Sequence, residues 1–218
     1  IAPAALGIHL CIGSVYAWSL FNPALTKRIG VVTSAADDWS LKSVVWIFTV
    51  AIVFLGLSAA IAGKWLEQVG PRMVGVVSAC CWGGGFIVGG TGIVTGQLWL
   101  IYLGYGVIGG CGLGLGYVSP VGTLIRWFPD QRGMATGIAI MGFGGGAMLA
   151  APLTQYLLGH YGATEVESLV PTYLTLGAIY TTLMLLGAAV VRVPPKGYVP
   201  EGWVPTEHVS KVSSGGQV

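Results

Sequence analysis

Six stretches of at least twenty residues contain no Asp, Glu, Lys or Arg and are dominated by apolar side chains: 3–25, 43–62, 73–94, 98–124, 134–158 and 170–191. A helix rising 1.5 Å per residue needs about 20 such residues to cross a hydrocarbon layer about 30 Å thick. Lipid offers a peptide group no hydrogen bond, so each stretch must satisfy its own backbone, which a helix does within one segment. A membrane barrel would need strands of about 10 residues alternating apolar and polar, a pattern this sequence lacks. The sequence therefore predicts an all-α membrane protein of six transmembrane helices. Ionised side chains are kept to the connections because burying them in lipid is costly.

Composition closes off the soluble alternatives. The 218 residues are 54% hydrophobic and 8% charged, against roughly 25% charged in a soluble domain. A net charge of +2 without a basic cluster offers nothing to nucleic acid. Cys11, Cys80, Cys81 and Cys111 sit inside apolar runs with neither C-x-x-C spacing nor paired histidines, so they read as small core residues. No metal site and no cofactor is expected. Ile1 opens within an apolar run with no basic segment ahead of it, which predicts no cleavable leader and a sequence that starts part-way into a longer polypeptide.

The connections set an orientation. Alternate loops place Lys64, Arg72, Arg126, Arg132, Arg192, Lys196 and Lys211 on one side. The other side carries Lys27, Arg28 and Lys42, offset by Asp37 and Asp38. Positive residues concentrate in the cytoplasm, so both termini are expected there, in a multi-pass protein of the cell membrane. After Val191 the chain turns rich in Pro, Gly and polar residues, dividing it into a bundle at 1–191 and a linker or tail at 192–218.

The second connection reads Gly63-Lys-Trp-Leu-Glu67-Gln-Val-Gly70-Pro-Arg72, a tight turn with one acid flanked by bases. The spacing of Gly63, Glu67, Gly70 and Arg72 resembles the loop between helices two and three of the major facilitator superfamily. Glu67 stands where that pattern carries Asp, and Gln68 and Pro71 where it often has bases. The resemblance implies that acid and base latch a gate against neighbouring helices. Three further segments are similar to the oxalate/formate antiporter family: Gly13-Ser-Val-Tyr16-Ala-Trp18-Ser, Trp127-Phe-Pro-Asp130-Gln-Arg132-Gly-Met-Ala-Thr-Gly137, and Gly142-Phe-Gly-Gly-Gly. The run from Pro194 to Trp203 resembles that family's linker between two six-helix halves, and the related monocarboxylate transporters share the loop before the fifth stretch. The implied fold is one lobe, the N-terminal one, built of two inverted three-helix units. Its implied partners are the lipid bilayer and a C-terminal six-helix half, absent from this chain, which supplies the cationic residues that bind substrate.

Glycine is concentrated where helices would meet. Gly106, Gly110 and Gly114 share one helix face, and Gly137, Gly142 and Gly146 mark the fifth stretch; small residues at such spacing let backbones approach closely. Close packing and bending between two states both account for them. Tyr16, Trp18, Tyr105 and Tyr117 are the candidate substrate-contacting, cavity-lining residues, since each offers a polar edge on an apolar body. Trp46, Trp99 and Tyr102, near stretch ends, fit an interfacial belt. His9 and His160 are expected to be solvated at the interface rather than to relay protons. Gly104-x-Gly106-x-x-Gly109 matches a dinucleotide fingerprint, yet no strand leads into it. Asn22-Pro23-Ala24 matches half of a water-channel signature, without the second copy, and reads as a helix stop.

The expected function is alternating-access transport of a small organic anion, a mono- or dicarboxylate such as oxalate, formate or lactate. Rocking would be controlled by the loops holding Gly63, Glu67, Gly70, Arg72, Asp130 and Arg132. No bond changes in such a process, so the chain is not expected to be an enzyme. A six-helix channel and a non-transporting scaffold or truncated product stand as the alternatives.

Overall fold

The computed structural model describes residues 1–27, 36–162, 165–195 and 198–200. Arg28, Lys196, Lys211 and the tail from Glu201 to Val218 therefore lie outside the described residues. Five helices are long and apolar enough to cross a membrane: α1 (Ala2–Leu25), α2 (Leu41–Thr95), α3 (Leu98–Trp127), α4 (Arg132–Tyr161) and α5 (Glu165–Val190). No strand occurs among the described residues.

The six stretches of the sequence thus appear as five helices, because 43–62 and 73–94 fall in the single 55-residue element α2. That element is not continuous. Gly70 has φ 81° and ψ 163°, and Pro71 follows it. Only glycine occupies that region of backbone space without strain, and proline cannot donate the next helical hydrogen bond. The break divides α2 into arms 41–69 and 71–95.

Contacts with α3 give the direction of each arm. Along the first arm the partners advance together: Val50 faces Gly106, Phe54 faces Gly110, Ser58 faces Gly114 and Leu66 faces Gly122. Along the second they run in opposition: Gly89 faces Gly104, Gly85 faces Gly109, and Ser78 faces both Gly112 and Gly116. The hydroxyl of Ser119 then donates to the carbonyl of Pro71 at 2.9 Å. The first arm is parallel to α3 and the second antiparallel to it, so the chain reverses at Gly70. By the same reading α1 and α4 run parallel, Leu6 facing Gly142 and Leu10 facing Gly146. The second arm and α5 run antiparallel, Gly75 facing Ala188 and Gly83 facing Thr181.

Glycine makes these approaches possible. A Cβ on Gly146 would lie 2.6 Å from the Cα of Gly13, one on Gly110 2.8 Å from the Cβ of Phe54, and one on Gly112 2.6 Å from the backbone nitrogen of Trp82. Gly106, Gly110, Gly114, Gly142 and Gly146 all stand at such seams. Gly137 differs, for a Cβ there would meet nothing within 4 Å. Helix ends are closed locally. Ser40 caps α2 by accepting from the Ser43 amide at 3.2 Å, and left-handed Gly96 ends it.

Two helices depart from regular geometry. α1 tightens to a 3-10 form over Ser14–Phe21, and α3 widens to a π form over Tyr102–Gly109, where Gly104 and Gly109 press on the second arm. The two irregular segments meet, with the Trp18 and Tyr105 rings 4.4 Å apart. Outward-facing residues are apolar: Met148 is 80% exposed and Ile61 75%, a surface suited to lipid rather than water.

The seams give a direct test. Gly114→Leu drives a side chain into the first arm and is expected to cost about 1–3 kcal/mol or more by overpacking. It should lower the melting temperature of detergent-solubilised protein, whereas Gly137→Leu, facing open space, should leave it within a degree or two.

Candidate functional site

The four aromatic residues singled out from sequence fall into two groups. Tyr16 is 45% exposed, and its ring lies 5.2 Å from Phe143 and 6.2 Å from Phe48. Tyr117, partly buried, lies 5.3 Å from the same Phe143. These rings come from α1, the first arm of α2, α3 and α4, and together they form a half-open aromatic face. Phe143 holds its place because Gly142 and Gly146, on either side of it, bring α4 against α1.

Trp18 and Tyr105 sit behind that face, in the core. Both are almost fully buried. The Trp18 indole donates to the carbonyl of Val44 at 3.3 Å, tying α1 to the start of α2. The Tyr105 ring lies 5.1 Å from Trp82, 5.5 Å from Phe86 and 6.0 Å from Tyr173. In this conformation they pack in the core rather than on that face.

Two members of this constellation went unweighted in the sequence. Phe143 lies inside the Gly142-Phe-Gly-Gly-Gly run, whose glycine spacing says nothing of where the one ring points. His9 is the larger departure. The sequence places it at a solvated interface, whereas it is fully buried and packs edge-on against Tyr117 with ring centroids 5.6 Å apart. Its position nine residues into the chain is two helical turns before Tyr16, and the glycine seam with α4 covers it. His160, by contrast, is exposed at the end of α4, stacked 5.8 Å from Tyr156. Of the belt residues, Trp46 and Trp99 are more than half exposed, while the Tyr102 hydroxyl donates to the carbonyl of Ser43.

The charged loops gather at one end of the bundle. Arg72 donates to the carbonyl of Ala189 at 2.8 Å, placing a cation at the C-terminus of α5, where the helix dipole favours it. The guanidinium is thus engaged with a helix end rather than with Glu67. Glu67, Gly70, Thr123, Arg126 and Val193 line a recess of about 270 Å³ beside the reversal. Gly70 makes that reversal. Gly63, expected to share the bend, lies in regular helix with no close neighbour. Asp130 sits in the short connection between α3 and α4, and Arg132 opens α4. The Trp127 indole donates to the carbonyl of Arg192 at 2.7 Å, and its ring lies 5.1 Å from Tyr198. The chain leaving α5 is thereby strapped across the end of α3.

The family model for the Major Facilitator Superfamily matches residues 8–213. Among curated proteins, the chain is 29% identical over 188 residues to the Uncharacterized MFS-type transporter YhjX of Escherichia coli, covering 86% of this chain and 42% of that protein. It is 29% identical over 196 residues to the Oxalate:formate antiporter of Oxalobacter formigenes, covering 88% and 41%. It is 27% identical over 192 residues to Monocarboxylate transporter 1 of Homo sapiens, covering 88% and 36%. The chain spans less than half the length of each of these relatives.

The reversal is open to test at one residue. Gly70→Ala places a Cβ in a conformation close to glycine-only and is expected to cost about 1–3 kcal/mol. The melting temperature of the solubilised protein should fall measurably, while Gly63→Ala, in regular helix, should hold or slightly raise it.

Proposed function

The chain belongs to the Major Facilitator Superfamily, and from that premise we propose that it is the N-terminal lobe of a secondary transporter for a small organic anion. The observation that carries this reading is the half-open face of Tyr16, Phe143 and Tyr117, built by three helices around one ring. Such a wall strips water from a small anion while leaving phenol and ring edges to hydrogen-bond it. Relatives whose names specify oxalate, formate and monocarboxylates support a carboxylate as the substrate class.

In this reading the two arms of α2 cross the bilayer separately, giving six crossings of alternating direction. The end bearing Lys64, Arg72, Arg126, Arg132 and Arg192 faces the cytoplasm, by the excess of positive charge. Both termini then lie there. A second six-helix lobe closes the other side of the aromatic face and supplies the cationic groups. The chain's share of its relatives' lengths, 36–42% in the three compared, leaves room for such a lobe. Alternating access moves one lobe against the other, and the loops holding Glu67, Gly70, Arg72, Asp130 and Arg132 set the cytoplasmic contacts that break and reform. The chain catalyses no bond change.

Proteoliposomes holding the chain with its second lobe should show saturable uptake and counterflow of labelled formate, oxalate or lactate, with little uptake by the isolated chain. Tyr16→Ala should raise the half-saturating concentration several-fold, corresponding to about 1 kcal/mol for one aromatic contact, while Trp99→Ala should leave it unchanged. Flux with neither saturation nor counterflow would favour the channel reading instead.

A further inference from the structure

We infer that the groove between α1, α4 and α5 binds one acyl chain of an anionic phospholipid, whose headgroup sits over the arginines at the charged end. The site stands apart from the transport reading and takes from it only which end is cytoplasmic.

Small residues shape the groove. α4 and α5 each close on α1 at a glycine: a Cβ on Gly146 would lie 2.6 Å from the Cα of Gly13, and one on Gly187 2.8 Å from the Ile8 side chain. Alongside those contacts α1 offers Ala4 and Gly7 as the floor, and a Cβ on Gly7 would meet nothing within 4 Å. Leu149, Leu183 and Leu186, each at least half exposed, stand as the rims. The result is a trough of about 480 Å³. Only Cys11 and Tyr180 among its lining residues carry a polar side-chain atom, and both are buried.

Its length and girth match a hydrocarbon chain. On α5 the lining runs from Ile179 to Val190, roughly 16 Å at 1.5 Å per residue. One leaflet of a hydrocarbon core about 30 Å thick is about 15 Å deep. The trough's volume spread over its length leaves a cross-section of roughly 30 Å². That admits one extended chain and is too narrow for a helix about 10–12 Å across. A helix of a second lobe or of a second copy would ride over the rims and leave the floor uncovered.

An apolar trough alone selects nothing, because lipid tails are as apolar as leucine. Selection comes from the mouth, at Pro3 and Val190. Arg72 donates to the carbonyl of Ala189, the neighbour of Val190, with one of its five N–H groups. Arg192 follows two residues after Val190 and is exposed, and Trp127 bonds its backbone carbonyl rather than its guanidinium. Arg132 opens α4, which runs parallel to α1, so it stands at the same end. The described residues of that end carry Lys64, Arg72, Arg126, Arg132 and Arg192 against Glu67 and Asp130. The cytoplasmic leaflet holds anionic lipid, and each basic residue near its surface strengthens the attraction. A headgroup of net negative charge is the complement of this mouth, and its chain leads down the trough.

The test is native mass spectrometry of the chain with its second lobe, released from vesicles of equal phosphatidylglycerol and phosphatidylcholine. Wild type should retain one phosphatidylglycerol per protein, enriched about tenfold or more over phosphatidylcholine. Arg192→Gln should cut that enrichment about fivefold, the worth of one basic residue at the surface. Gly7→Leu fills the floor where a side chain meets no clash. It should lose the retained lipid of either kind while holding its lipid-free melting temperature. Added phosphatidylglycerol should raise the melting temperature of the wild type and not of this variant. Equal retention by wild type and Gly7→Leu, or no preference between the two lipids, would overturn the site. Should Gly7→Leu fail to fold, a phosphatidylglycerol with a photoreactive group at mid-chain decides on the wild type. It should label α1, α4 and α5 around Gly7, and labelling confined to other helices would overturn the proposal. So would Gly7→Cys cross-linking to the second lobe or to a second copy, since protein would then cover the floor. None of these readouts depends on flux, so the transport reading stands or falls separately.

Discussion

The fold depends on backbone meeting backbone. In lipid there is no hydrophobic force between helices, so association comes from van der Waals contact and from whatever polar bonds can be closed. α3 draws on both. Its glycines take the first arm of α2 on one side and the second arm on the other, and Ser78 donates to the carbonyl of Gly112 at 2.7 Å across the second seam. Side chains larger than hydrogen at those positions would hold the helices apart and cancel the contact on which the bundle rests. The irregular turns of α1 and α3 follow from the same demand, since they occur where Trp18 and Tyr105 are packed ring to ring.

That seam geometry also makes the site. Because α1 and α4 touch at Gly13 and Gly146, the rings just beside the contact cannot pack between those two helices. Phe143, Tyr16 and Tyr117 turn instead toward the open side and contact one another there. The core is aromatic, with Trp82 and Phe86 5.0 Å apart and Phe86 and Tyr173 4.7 Å apart. A packed back and a half-open front are what a surface needs if it is to meet a second body and a solute between them. At the charged end the arrangement differs. Arg72 and Trp127 hold backbone carbonyls at the end of α5 and just beyond it.

Much of this was legible in the sequence because lipid imposes so few solutions. Length and charge segregation identified the helices, and the glycine spacing identified the α3 seam. The reversal at Gly70 was legible as a turn residue, though its partner Gly63 was not distinguishable from it without coordinates. What stayed hidden was rotation about each helix axis. In a soluble helix polarity shows which face is outward, whereas in an apolar one both faces look alike. Trp18 and Tyr105 therefore read as cavity-lining and are buried in the core, Gly137 read as a seam and faces open space, and His9 read as interfacial and is enclosed. For His9 nearness to the end of its apolar stretch is also no guide to burial, because Gly142 of α4, a segment more than a hundred residues away, packs over it.

The central claim is that the chain turns back at Gly70, so that Lys64 and Arg126 lie at one end of the bundle and Lys42 at the other. Single cysteines replacing each of these, in a background with Cys11, Cys80, Cys81 and Cys111 removed, can be labelled from either side of sealed membranes with an impermeant reagent. Lys64→Cys and Arg126→Cys should react from the cytoplasmic side and Lys42→Cys from the opposite one. Labelling of Lys64→Cys and Arg126→Cys from opposite faces, or of all three without any membrane barrier, would contradict the account.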